Sequence, residues 1–414
     1  MEVVFLSELY VTIWSFLFIR KGQKKKKKKK IWRANNEWDI IVPIGGLSFF
    51  ALLFFLKIEN PKTPLIAGLR NIDWAGTLLT IGGTLTFLFG LEYGGAEYPW
   101  SSATVICLIV FGVVIWVLAM LNEWKLARNP VIPPRIFHTR HNVAVLLVCF
   151  CHGIIFMALS YYLPLYFQSV LLASPILSGV YVLPSIITLS IFSTANGFLV
   201  KKTGRYRESI VGGMFLLVLG VGLFIDLKSY ASWPRIIIYQ IIAGIGAGPN
   251  FQSPLVAFQA NNLPKDMAVA TAAFAFIRQL STAVSVVIGG VIYQNILTQQ
   301  ASSVVEPALG PAKAGELSSS FVGSDKPFVL SLPSARQRQV VLGAISFSLS
   351  RMWIFYTAIA AIGFLFSLFV RPIELSKRRH SVKLGLHRDG PQEEKREMDV
   401  RNSDADGALN QETG

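Results

Sequence analysis

Long apolar stretches alternate along this chain with short polar ones. Nine runs are long enough, or nearly so, to cross a bilayer core, which takes about 20 residues as a helix. They cover residues 40–56, 74–91, 103–121, 142–170, 174–200, 210–225, 236–260, 268–294 and 352–370. Apolar side chains follow one another without the alternation of a membrane strand, so the runs are read as helices. The runs at 142–170, 174–200, 236–260 and 268–294 exceed the minimum, which implies tilt or extension beyond the membrane. The expected fold class is all-α, a polytopic transmembrane helix bundle of about nine spans.

Composition agrees with that pattern. The chain has 414 residues, 52% of them hydrophobic, with mean hydropathy +0.50. Charged residues make up 15%, against roughly 25% in an ordinary soluble domain. A soluble globular protein, a disordered chain and a coiled coil are excluded. The net charge of +15 is not one basic surface, because the basic residues of the middle stretch sit between apolar runs. The lipid bilayer is therefore the expected partner, and nucleic acid is not.

Basic and non-basic loops alternate. Lys57, Lys62 and Arg70 follow the first run, no Lys or Arg follows the second, and Lys125, Arg128, Arg135 and Arg140 follow the third. The turn after the fourth run has none, and Lys201, Lys202, Arg205 and Arg207 follow the fifth. The positive-inside rule places the basic loops in the cytoplasm. Residues 371–414, dense in both charges, read as a disordered cytoplasmic tail. The Ser- and Pro-rich connection from 295 to 351 falls outside by parity and reads as irregular. The N-terminus conflicts with this topology. Lys24–Lys30 are seven consecutive lysines that would face outside, so residues 1–39 are expected to be foreign to the fold.

Enzyme chemistry finds no constellation. His138 and His141 read as loop residues without a carboxylate or thiol nearby, and nucleophile elbow, Walker loop and dinucleotide fingerprint are all missing from the sequence. No catalytic residue, metal site or cofactor is expected. Cys107, Cys149 and Cys151 lie in apolar runs and read as small core residues. Without a nucleotide site, active transport would draw on an ion gradient.

Polar side chains within the runs are the candidates for function, because lipid does not tolerate them. The eighth run carries Arg278 and Gln279, with Thr282, Ser285 and Gly289 following Arg278 at near-helical spacing. Arg278 either snorkels or pins a neighbouring helix, or it makes direct substrate or proton-coupling contact. The seventh run carries Asn250, Gln252 and Gln259 beside Gly248-Pro249. That dipeptide reads as a helix break lining a site, with close packing through Gly244 and Gly248 as the alternative. The fourth run carries His152, Tyr161, Tyr162, Tyr166 and Gln168; Tyr161 and Gln168 share a face. His152 reads as packed or as a proton carrier, and Tyr162 and Tyr166 as interfacial belt residues. Tyr161, Gln252 and Arg278 are expected to face inward.

Several motifs occur in the order of one family. Gly197 precedes Lys201-Lys202-Thr203-Gly204-Arg205-Tyr206-Arg207, in which Gly204 suits a tight turn and Gly197 a close helix approach. This resembles the signature loop of the major facilitator superfamily, with Lys201 where the family has an acidic residue. Residues 129–137 (NPVIPPRIF), 73–76 (DWAG), 98–102 (YPWSS), 244–254 (GIGAGPNFQSP) and 276–280 (FIRQL) are similar to segments of its fourteen-span drug:proton antiporters. The resemblance implies that the nine runs match that family's sixth to fourteenth helices, so the chain is an N-terminally truncated member. It implies three helices at 40–121, a cytoplasmic loop at 122–141 and a C-terminal six-helix transporter half at 142–370.

The expectation is secondary active efflux of small molecules or drugs by proton antiport, incomplete in the chain as written. The partners are bilayer, small-molecule substrate and protons, with no obligate protein partner. The substrate pathway is assigned to Tyr161, Gln168, Asn250, Gln252, Gln259, Arg278 and Gln279. The signature loop comprises Gly197, Lys201, Lys202, Gly204, Arg205 and Arg207. A non-transporting membrane remnant and a membrane-embedded enzyme are the alternatives. The protein is expected in the plasma membrane, with the vacuolar membrane as the alternative. A membrane-impermeant thiol reagent applied to intact cells should label Ala96→Cys and leave Thr203→Cys unlabelled; labelling at position 203 would invert the topology.

Overall fold

The computed structural model describes residue 46 and residues 73–94, 98–125, 134–137, 139–262, 266–318 and 325–372. All but the first lie in one compact unit, Pro64–Arg379. The first expected span apart from residue 46, the polybasic stretch, His138 and the tail beyond Pro372 lie outside the described residues. Among the described residues every regular element is helical, apart from an isolated bridge between Gly94 and Tyr98. Seven of these helices are long and apolar enough to cross a membrane.

Helices α1 (Trp74–Tyr93) and α2 (Ala103–Lys125) form a hairpin. Asp73 caps α1 by accepting from the Gly76 amide at 2.9 Å, and its other oxygen accepts from the Asn122 side chain at 2.8 Å. Small residues let the two backbones close up, since helices in lipid attract through packing and not through expulsion of water. A Cβ on Gly112 would sit 2.7 Å from the Phe87 backbone.

The remaining helices pack around α3 (Arg140–Ser169), which is buried on nearly every side. Its first turn is capped by Thr139, whose hydroxyl accepts from the Asn142 amide at 3.2 Å. His141 belongs to that turn and not to a loop. It is buried, its Nε2 donates to the Ala257 carbonyl, and its Nδ1 accepts from the Arg371 amide. Helix α4 (Pro175–Thr203) starts on a Ser174 cap with Pro175 in its first turn and stops at Gly204. There φ is +73°, a conformation that costs glycine nothing. Helix α5 (Arg207–Leu223) follows, then α6 (Trp233–Ala247), α7 (Pro249–Ala260) and α8 (Met267–Gln300). Short helices α9 (Glu306–Leu309), α10 (Pro311–Ser318) and α11 (Asp325–Ser331) lead into α12 (Ala335–Leu368).

Buried tyrosines tie the centre together. The Tyr162 hydroxyl donates to the Val286 carbonyl at 2.6 Å, and the Tyr356 hydroxyl to the Ser285 carbonyl at 2.8 Å. Ser285 in turn donates to the Ile154 carbonyl at 2.6 Å. The loop joins α3, α8 and α12, and Gly289 leaves room for both tyrosines. Tyr166, also buried, donates to the Lys228 carbonyl. These tyrosines are therefore core residues and not belt residues. Cys149 and Cys151 are buried as expected, whereas Cys107 is exposed on α2.

The run at 236–260 is two helices, divided at the break expected at Gly248-Pro249. Two extents differ from the pattern. Helix α8 continues beyond 294 and leads through a π-turn, Ala301–Val305, into α9. Helix α12 begins at Ala335, well before residue 352, so the connection expected to be irregular is largely helical. Both extensions are amphipathic and not uniformly apolar. Leu297, Ala301 and Val305 are buried along the first; Val341, Ala344, Ile345, Ser348, Leu349 and Met352 along the second. That is a 3.6-residue period, which a continuous apolar run does not reveal. The serines that lower its hydropathy make bonds: Ser350 donates to the Ile225 carbonyl at 2.7 Å and Ser346 to the Leu227 carbonyl at 3.3 Å.

Two glycines give opposite expectations. A Cβ on Gly246 would run into the Leu217 backbone, whereas one on Gly197 would meet nothing within 4 Å. The close helix approach expected at Gly197 is therefore not present among the described residues. Gly246→Ala should cost about 1–3 kcal/mol, read as a lowered unfolding temperature in detergent. Gly197→Ala should leave that temperature unchanged or raise it, since alanine is favoured over glycine in a helix by about 1 kcal/mol.

Candidate functional site

The site is built on the interruption between α6 and α7. Pro249 has no amide hydrogen, so the carbonyl of Ile245 loses its helical donor. The Phe251 amide then turns to the Gly248 carbonyl at 3.1 Å and leaves that of Ala247 free. The residues around the break are buried, so side chains and not bulk water meet its carbonyls. His152 Nε2, on α3, approaches the Ala247 carbonyl at 3.1 Å. The Asn250 amide group donates to the Gly246 carbonyl at 3.0 Å. Asn196, on α4, donates to Ser253 Oγ at 2.8 Å and more weakly to the Pro249 carbonyl. From α8, Arg278 Nη2 donates to the Phe251 carbonyl at 2.8 Å.

These bonds define chemical states. A histidine nitrogen facing a carbonyl must carry the hydrogen, so His152 is the Nε2–H tautomer. Its Nδ1 is buried without a hydrogen-bond partner. The Arg278 guanidinium lies 4.8 Å from the Phe251 ring centroid and 5.2 Å from that of Phe274. Phe251 also meets Phe156 edge to face at 5.4 Å. The positive charge is thus stabilised by a carbonyl dipole and two aromatic faces. The cluster also contains the close glycine contacts. Gly244 and Gly248 press against α4, where a Cβ would come within 2.7 Å of the Ser185 carbonyl oxygen and 2.8 Å of the Ser193 amide nitrogen. Break and close packing coexist at one place.

The candidate residues divide into two groups. Asn250 is fully buried, Arg278 half-buried, and both serve the break. Gln259 is half-buried and donates to Thr271 Oγ1 at 3.0 Å; Gln168 donates to Ser178 Oγ at 3.0 Å. Tyr161, Gln252 and Gln279 are exposed on the bundle surface. The inward orientation expected for Tyr161 and Gln252 is therefore corrected. Their sequence neighbours Tyr162 and Ser253 occupy the buried positions, and adjacent residues on a helix point about 100° apart. In the signature loop Gly204 makes the turn, Lys201, Lys202 and Arg205 are exposed, and Arg207 reaches the Leu368 carbonyl at 3.5 Å. Sequence reasoning missed Asn196 and Ser253. Their only signal is an amide and a hydroxyl inside apolar runs.

Residues 41–200 match the family model described as "Fungal trichothecene efflux pump (TRI12)". The chain is 48% identical over 347 residues to "Efflux pump dotC" of Dothistroma septosporum, covering 84% of this chain and 59% of that one. It is 43% identical over 357 residues to "MFS-type transporter ppz2" of Metarhizium majus, covering 86% and 61%. An "MFS-type transporter" of Aspergillus terreus is 40% identical over 354 residues, covering 83% and 63%. Over more than four fifths of its length the chain is thus similar to fungal efflux pumps and MFS-type transporters. It spans about three fifths of the length of these relatives. It is an integral membrane protein, and the broken helix and its ligated carbonyls lie within its helix bundle.

His152→Leu should leave the Ala247 carbonyl unpaired and destabilise this bundle by about 1–3 kcal/mol. His152→Gln, which restores a donor, should recover part of the loss. Thermal unfolding of both variants in detergent checks this.

Proposed function

We propose that this chain supplies the C-terminal six-helix half, with preceding helices, of a proton-coupled exporter of small molecules. The observation that carries the reading is the helix broken at Gly248-Pro249 with Arg278 bound to it. Major facilitator carriers place substrate near the midplane and rock one half against the other, and interrupted helices mark such sites. Exposed Tyr161, Gln252 and Gln279 supply polar groups on the bundle surface, where lipid would penalise them and a second half or a substrate would use them. The relatives' names support export, and the family model's description suggests small toxins as the substrate class. Proton coupling rests on the antiporter resemblance and the missing nucleotide motif. The plasma membrane is the site of action that export requires; a vacuolar location would turn the same cycle into sequestration.

The test is an export assay on the chain preceded by the N-terminal helices of its relatives, beside the 414-residue chain alone. The extended form should export a lipophilic toxin, and collapse of the proton gradient should stop it. Arg278→Leu should reduce export to background while membrane insertion is retained. Export untouched by that change, or by a protonophore, would overturn the reading.

A further inference from the structure

Between the α1–α2 hairpin and the six-helix bundle lies a cavity of about 580 Å³, in the size range of small-molecule sites. Its walls include Trp116, Leu146, Phe150, Phe276 and Leu280, and polar groups are few. The cavity follows from how the hairpin is held. Glycines bind α1 and α2 tightly to each other, while the hairpin leans on α8, with Trp116 touching Phe276 at 6.4 Å between ring centroids. Space is left against α3.

The cavity has a direction. Met120, Trp124 and Phe137 are its exposed lining residues, so it opens sideways at the end where α2 finishes and α3 begins. A terminal Trp, here 71% exposed, sits at headgroup level in a bilayer. From Trp124 the α2 wall runs inward to Trp116, about 12 Å along the axis, close to the half-thickness of a hydrocarbon core of about 30 Å. Two exposed cations flank the mouth in sequence. Lys125 follows Trp124 and holds its ammonium 5.9 Å from that ring; Arg140 lies between the lining residues Phe137 and Val143. Glu123, the acidic lining residue, is buried and engaged in an interaction of its own.

We propose that this cavity is a binding site for one anionic membrane lipid, with an acyl chain between α2, α3 and α8 and its phosphate at Lys125 and Arg140. An apolar space open to the bilayer is reached by acyl chains and not by water, and the cations next in sequence to its exposed lining residues would select the headgroup. The lipid then fills the joint between the hairpin and the bundle. This site is separate from the break at Gly248-Pro249 and stands whether or not that break handles substrate.

The 414-residue chain, purified in detergent, is offered phosphatidylglycerol or phosphatidylcholine of identical acyl chains and examined by native mass spectrometry. One phosphatidylglycerol should be retained in preference to phosphatidylcholine. Leu147→Trp and Ala119→Leu fill the cavity from two different helices, and each should weaken retention about tenfold. Lys125→Gln with Arg140→Gln should remove the headgroup preference. A second measurement needs no cavity-filling variant. In nanodiscs, brominated-chain phosphatidylglycerol should quench a component of tryptophan fluorescence that disappears in Trp116→Phe. Equal retention of both lipids, retention unchanged in the filled variants, displacement by a lipophilic toxin instead of by lipid, or no Trp116-dependent quenching would each overturn the proposal.

Discussion

An interrupted helix buried among its neighbours imposes the constraint on which this bundle depends. Breaking a helix at Pro249 frees backbone carbonyls, and a buried carbonyl is costly unless a donor bonds it. Side-chain donors gather on carbonyls at and beside the break: His152 from α3 at Ala247 and Asn250 at Gly246, with Asn196 from α4 at Pro249 and Arg278 from α8 at Phe251 in the turn that follows. Three of the four donors come from other helices, and these bonds tie α3, α4 and α8 to the break.

The same bonds explain how a guanidinium is tolerated here. Arg278 lies between the Phe251 and Phe274 rings and ends on a carbonyl, so its charge is met by dipoles and quadrupoles. Anchoring α7 does not compete with a transport role. A residue that holds one half of a broken helix is placed to respond when that helix moves.

A second constraint is close approach. Gly244, Gly246 and Gly248 bring α6 against α4 and α5 at distances that leave no room for a Cβ. Glycines also bind α1 to α2, which makes the hairpin a unit of its own, attached to the bundle more loosely. The cavity beside α2 is what remains when two well-packed pieces meet.

The chain's pattern alone determined that this is an all-helical membrane protein, and which runs become α1 to α5, because burial in lipid requires continuous apolar surface whatever the neighbours. It also marked the interruption, since proline cannot donate, and the turn at Gly204, since glycine can adopt positive φ. The tertiary structure decided the rest. Residues 335–351 are helical although local hydropathy underestimates them; they bury one face, and Ser346 and Ser350 bond to carbonyls just beyond α5, a long-range match. Tyr161 and Gln252 are exposed while Tyr162 and Ser253 are buried, because rotation about a helix axis is set by packing partners. His152 and Asn196 became ligands of the break through contacts with residues 95 and 53 positions away. No local pattern encodes such pairings, because they exist only once separate helices have met.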